Sequence, residues 1–208
     1  CSLALARGRF PKGYPHLDPN EDACLAATDG NAYLLAVADG HNGFDAARAA
    51  ISQLADSAEE ILSHGEPAAH AMSIASRAVT ATVSDLEEPR LHSRTALLVA
   101  VMTPTATELS SAGDCTAVIP GKRGPKIVTK PAPFLAAIDT IPYMTSIDPQ
   151  TPLLLATDGL IDFLGRDPLG ALAPILELED PRSIVDAAIE AAFAGASGDN
   201  IALIAAVP

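Results

Sequence analysis

The chain has 208 residues, 49% of them apolar and only 4% aromatic, which suits one domain with a core of small, closely packed side chains. Its net charge of −13 argues against nucleic acid or an anionic membrane surface as a partner, because phosphate-rich surfaces select basic proteins. No apolar run is long enough to span a bilayer. The three cysteines (Cys1, Cys24 and Cys115) form neither an even disulfide set nor a Cys-x-x-Cys zinc pattern, so a reduced, cytoplasmic setting is expected.

In chain order, residues 1–22 carry three prolines and read as irregular. Ala23–Thr28 and Tyr33–Ala38 are two apolar runs bracketing Asp29-Gly30-Asn31, the pattern of a hairpin. A Gly-rich polar cluster, Asp39-Gly40-His41-Asn42-Gly43, is where the second strand should stop. Apolar residues then recur at helical spacing from Phe44 to about Leu62 and again over Glu66–Leu86, with Pro67 suited to a first helical turn. Strands are expected at Thr95–Met102, Ala106–Ala112, Cys115–Ile119 and Lys126–Lys130. The proline-rich stretch Pro131–Gln150 reads as a loop holding at most one short element. A compact strand at Leu153–Ala156 ends in Thr157-Asp158-Gly159. Helices follow at Leu160–Leu164, Pro168–Glu177 and Arg182–Ala194, and Asp199–Val207 closes the chain as a strand. Clustered strands and clustered helices, without strict βαβ alternation, predict an α+β protein of antiparallel sheets flanked by helices.

The carboxylates fall at the strand ends. Glu21-Asp22 precedes the first hairpin strand and Asp39 ends the second. Asp114 lies between two strands, Asp158 ends another, and Asp199 begins the last. If those ends gather on one edge, five or six carboxylates converge, and such a cluster repels itself unless cations occupy it. An all-oxygen donor set suits hard ions such as Mg²⁺ or Mn²⁺. Two such ions about 3.5–4 Å apart activate a shared water and neutralise a phosphoryl group. Taken singly, each Asp-Gly is also the commonest kind of turn.

Six blocks occur in order: Asn20-Glu21-Asp22-Ala23, Ala38-Asp39-Gly40-His41-Asn42-Gly43, Ser93-Arg94-Thr95-Ala96, Gly113-Asp114-Cys115, Ala156-Thr157-Asp158-Gly159-Leu160-Ile161-Asp162, and Gly198-Asp199-Asn200-Ile201. Together they resemble the type 2C family of Mg²⁺- or Mn²⁺-dependent protein serine/threonine phosphatases, and they cover nearly the whole chain. The resemblance implies a four-layer α-β-β-α sandwich with two mainly antiparallel sheets, residues 1–208 forming a single domain. It implies removal of phosphate from phosphoserine and phosphothreonine in proteins by attack of a metal-bridging hydroxide, and an opposing kinase that the sequence does not name.

The resemblance also implies roles. Asp39 would bridge two ions, the Gly40 carbonyl would bind the second, and Asp158 and Asp199 would complete the first site. Glu21 and Asp22 would hold the second ion's waters and the nucleophilic water. Asp114, with Asp158 and Asp162, would form a third, weaker ion site. His41 matches the family's proposed general acid, which an alkoxide leaving group needs. Three departures stand out. Where most members carry a phosphate-clamping arginine, four positions before the Glu, this chain has Leu17; Arg7, Arg9 and Lys12 are the cations nearby. Arg94 replaces a usually small residue. The segment from about 121 to 150 is short for the family's flap, which implies an open site.

Rival chemistries fit poorly. Cys1 and Arg7 have the spacing of a cysteine-dependent phosphatase, but no glycine or preceding strand forms a phosphate-cradling loop. Ala156-Thr157-Asp158-Gly159 lacks the second aspartate of a haloacid-type phosphatase, and no Gly-x-Ser-x-Gly elbow exists. The alternative of a different class is a type 2C-like phosphoprotein-binding or regulatory module with little turnover. The missing arginine and short flap favour it, and the complete carboxylate set opposes it.

Overall fold

A computed structural model describes residues 1–9, 20–87, 92–136 and 140–208. Its strands are Ser2–Ala6 (β1), Ala23–Thr28 (β2), Tyr33–His41 (β3), Arg94–Met102 (β4), Thr107–Ala112 (β5), Thr116–Ile119 (β6), Lys126–Ile127 (β7), Tyr143–Ile147 (β8), Leu153–Ala156 (β9) and Ile201–Ala206 (β10). The helices are Asp45–Asp56 (α1), Ala58–Leu62 (α2), Pro67–Ser84 (α3), Asp158–Ile161 (α4), Pro168–Leu172 (α5) and Pro181–Ala194 (α6). One sheet has the order β1-β10-β9-β6-β7 and the other β2-β3-β4-β5-β8. Every strand pairing within them is antiparallel.

The period-two geometry of a strand divides its side chains between two layers. In β3, Leu34, Ala36 and Ala38 meet α1 and α3, while Leu35 and Val37 face the other sheet. In β10, Ala202 and Ile204 join that inter-sheet core, and Ile201, Leu203 and Ala205 turn outward to α4–α6. Four layers result, in the order helix, sheet, sheet, helix. Because both faces of the central strands are covered, their sequences are continuous apolar runs rather than alternating ones. Each fully buried leucine, such as Leu98 or Leu155, contributes about 1.5–3 kcal/mol. The many alanines let helices and sheets approach closely.

The hairpin forms as its sequence predicts. Asp29 Oδ1 accepts from the backbone N–H of Asn31 and Ala32, both at 2.8 Å, and Gly30 takes φ +95°. Several expectations need correction. Residues 1–22 were expected to be irregular, yet β1 pairs with β10 residue by residue from Ser2↔Ala205 to Ala6↔Ile201; its partner lies at the other end of the chain, where no local pattern reaches. The long helix from Phe44 to Leu62 is two helices that meet at Ser57. The strand expected over Lys126–Lys130 shortens to β7, and the short element within Pro131–Gln150 is β8, the edge strand beside β5. The helix expected at Leu160–Leu164 starts earlier, at Asp158. Strand β3 also runs on through Asp39 and Gly40 to His41, since its pairing with β4 continues to His41↔Arg94.

Candidate metal centre

Both sheets deliver their strand ends to one edge. Asp22 stands directly before β2, and the Ala23↔Ala38 pair sets it beside Asp39. Asp158 follows β9 and Asp199 precedes β10, which are adjacent strands. The two sheets are joined there by hydrogen bonds rather than by apolar packing. The Thr157 hydroxyl donates to Asp22 Oδ2 at 2.8 Å and accepts from the Ala202 N–H at 3.0 Å. Asn200 Oδ1 accepts from the Glu21 N–H at 3.1 Å. Asn20 Oδ1 accepts from the Asp22 N–H at 2.9 Å, and the Thr95 hydroxyl donates to the Asp39 carbonyl at 2.8 Å. Two glycines permit this crossing. A Cβ on Gly40 would strike the Glu21 carbonyl oxygen, and one on Gly159 would strike that of Asn200.

Electrostatics report the same convergence. Burial raises the Asp22 carboxyl well above the usual range, Asp39, Asp158 and Asp199 raise it further, and the Thr157 hydroxyl opposes them. Asp158 is pushed up to about 7, by burial first and then by Asp39, Asp199, Asp114 and Asp162. Asp114 is raised by burial and by Asp39, although its side chain still meets solvent. Asp162 is exposed at the rim. Glu21, Asp22 and Asp39 are all buried, at 9%, 5% and 6% exposure, in a protein where buried charge otherwise demands a partner. The contrast with Asp29 is instructive: the backbone N–H groups of Ala32 and Asn31 lower its pKa, as for a turn aspartate.

His41 Nε2 lies 3.2 Å from Asp39 Oδ2, poorly aligned, and neither buried atom has a hydrogen-bond partner. Ligating atoms of Asp39, His41 and Asp114 fall within 4.8 Å of one another. The approach to Asp39 is the largest cause raising the His41 pKa; burial opposes it, and the charges of Asp39, Asp114 and Asp158 add to it. An orphaned buried carboxylate oxygen among mutually repelling acids is the condition that a divalent cation relieves, and an all-oxygen set of carboxylates fits Mg²⁺ or Mn²⁺. The residues present therefore fit such ions. Cysteine chemistry fits less well, since burial, followed by the nearby Asp39, drives the Cys115 thiol well above its ordinary value.

A cavity of about 440 Å³ opens at this edge, bordered by Glu21, Asp39, Gly40, His41, Asp158 and Asp199, with Asn42 and Arg94 at its side. A larger depression of about 800 Å³ lies at the β6–β7 hairpin around Lys122, Arg123 and Lys126, but its lining holds no carboxylate, histidine or cysteine. Chemistry favours the smaller one. Sequence reasoning missed three contributors here. Thr157 and Asn200 sit inside recognised blocks, but their hydrogen bonds to Asp22 and Glu21 span 135 and 179 residues. Arg94 stands in the Ser93-Arg94-Thr95-Ala96 block, where nothing in the sequence assigns it a role. Leu17, Lys12 and His16 lie outside the described residues. Arg9 stacks its guanidinium on Phe193 at 4.0 Å, which occupies it within the α6 layer. His64 and His70 stack on each other, 4.0 Å between centroids, consistent with surface residues.

No protein-family model matches the chain, and a search of curated proteins finds no match. Solved structures do match. The serine/threonine phosphatase Stp1 from Staphylococcus aureus aligns with a TM-score of 0.82 at 16% identity, over 100% of this chain and 94% of that one. The Mycobacterium tuberculosis serine/threonine phosphatase PstP/Ppp gives 0.77 at 21% identity, over 98% and 96%. The catalytic domain of PstP in complex with two manganese ions gives 0.78 at 20% identity, over 98% and 95%. This chain has the fold of these serine/threonine phosphatases.

Proposed function

We propose that the chain is a metal-dependent phosphomonoester hydrolase that removes phosphate from phosphoserine and phosphothreonine in proteins. The observation that carries this reading is the convergence of Asp22, Asp39, Asp114, Asp158 and Asp199 around a buried carboxylate oxygen with no protein hydrogen-bond partner. The similar fold of PstP, solved with two manganese ions, supports it.

Asp39, with the Gly40 carbonyl beside it, would hold divalent cations, Mn²⁺ or Mg²⁺. Asp158 and Asp199 would complete one site, and Glu21 and Asp22 would orient water at the other. Asp114 and Asp162 would hold a third ion. The cations, when bound, supply charge neutralisation for the phosphoryl oxygens and acidify a coordinated water. The protein's own contribution is positional. Thr157 fixes Asp22, and Asn200 fixes the Glu21 backbone. His41, whose pKa is raised chiefly by its approach to Asp39, would donate a proton to the departing serine or threonine oxygen.

Residues 1–208 act as a single domain with a short flap around 121–150, which leaves the cavity open to a protein-borne phosphate. A net charge of −13 disfavours nucleic acid, and no helix among the described residues is long and apolar enough to cross a membrane. The substrate is a phosphoprotein of the cytoplasm, with an opposing kinase. Hydrolysis of a phosphothreonine peptide in Mn²⁺, and then in excess chelator, tests the proposal. Turnover abolished by chelator and restored by Mn²⁺ is expected; turnover unaffected by chelator, or absent with metal, overturns it.

A further inference from the structure

We infer that Arg94 anchors the phosphoryl oxygens of the substrate; the inference rests on the phosphatase reading of the same cavity. The register of β3 and β4 sets Arg94 directly opposite His41, two positions along from the Asp39↔Ala96 pair. Arg94 lines the same cavity as Asp39, His41, Asp158 and Asp199, and apart from His41 it is the only cationic residue in that lining among the described residues.

Its placement is held by an aromatic ring. The guanidinium lies over Phe134, 4.8 Å from the ring centroid, and the same ring meets His41 edge-on at 4.6 Å and 76°. One side chain thus braces both groups. Ser93 anchors the start of the strand by accepting from the Ala46 N–H at the entrance to α1. Although the cavity is ringed by carboxylates, no carboxylate among the described residues lies within ion-pair distance of Arg94, and its side chain meets solvent. The planar fork of five N–H donors is therefore free to pair with two oxygens of a tetrahedral dianion, which an ammonium matches less well. Of the other described cations, Arg9 is stacked on Phe193, Arg48 on Phe44 and Lys130 on Tyr143, none of them in this lining.

The test compares wild type with Arg94→Ala and Arg94→Lys in saturating Mg²⁺. Three quantities are read: inorganic phosphate affinity by calorimetry, kcat and KM on p-nitrophenyl phosphate, and the melting temperature and Mg²⁺ affinity. Loss of a charge-assisted hydrogen-bonded pair predicts phosphate binding weaker by roughly 10–100-fold in Arg94→Ala, with KM rising by a similar factor. Mg²⁺ affinity and melting temperature stay near wild type, and Arg94→Lys recovers part of the loss. Unchanged phosphate affinity in Arg94→Ala overturns the inference. So does a loss of Mg²⁺ affinity and melting temperature in step with phosphate, which would make Arg94 a structural prop for Phe134. A wild-type chain that binds phosphate through Arg94 but turns nothing over keeps the inference and removes the hydrolase reading. A wild-type chain that binds no phosphate removes the inference.

Discussion

Replacing Asp158 with asparagine should make the metal-free protein more stable while removing its metal-dependent properties. In the folded chain the carboxyl is pushed from 3.8 up to about 7 by burial and by Asp39, Asp199, Asp114 and Asp162. A carboxyl raised in this way contributes fully to stability below its unfolded value and loses that contribution as pH climbs through its folded value. At pH 8 the ionised group therefore costs about 4 kcal/mol, at about 1.4 kcal/mol for each pH unit of the gap. Near pH 5 the cost falls to about 1.5 kcal/mol, and near pH 3 it vanishes. Asparagine keeps the shape without the charge, so Asp158→Asn should melt roughly 5–15 °C above the metal-free wild type at pH 8. The gap should narrow steadily toward pH 5. Scanning calorimetry across pH 4–8 in chelator measures it directly. Adding Mn²⁺ at a hundredfold excess over its dissociation constant stabilises the wild type by about 2.7 kcal/mol, and the variant by far less. A metal-free Asp158→Asn no more stable than wild type at pH 8, or a gap independent of pH, would refute the mutual repulsion on which the metal centre rests.

Three other outcomes are expected. His41→Ala should slow hydrolysis of an alkyl phosphate by roughly 10²–10⁴-fold and of p-nitrophenyl phosphate far less, because the aryl oxygen leaves without a proton; equal losses in paired assays would remove His41 as the acid. Thr157→Val deprives Asp22 of a donor and the Ala202 N–H of an acceptor, so stability should fall by about 1–3 kcal/mol and Mn²⁺ affinity by about 10–100-fold, with Thr157→Ser restoring both. Calorimetry of the pair decides it. Gly159→Ala forces a methyl onto the Asn200 carbonyl and should lower denaturant stability by about 1–3 kcal/mol, whereas Gly30→Ala faces open space and carries only the strain of a positive φ, about 1–2 kcal/mol; similar Mn²⁺ affinity in Gly159→Ala would contradict the tight crossing at the site.

Much of the fold was legible because its signals are local. The β2–β3 hairpin announces itself through Asp29-Gly30, and α3 through Pro67 and helical spacing. What escaped is what depends on distant partners. Strand β1 exists because β10 offers it an edge, and its alternation misleads, since Leu3 and Leu5 are exposed while the small Ala4 and Ala6 pack inward. The site divides in the same way. Ordered blocks mark Glu21, Asp22, Asp39, Asp114, Asp158 and Asp199, but Asp29-Gly30 and Asp39-Gly40 look alike in sequence. Only the fold separates them: Asp29 is satisfied by its own turn, while Asp39 leaves a buried oxygen without a hydrogen bond. Arg94 illustrates the remaining gap. An arginine next to a buried serine has no evident purpose until the register of β3 and β4 sets it across from His41.

The most direct measurement is anomalous diffraction at the manganese edge from crystals of the protein soaked in Mn²⁺. The account predicts two strong peaks about 3.5–4 Å apart, flanking the Asp39 carboxylate. Peaks elsewhere, such as the exposed His64–His70 stack, with none beside Asp39, would contradict it.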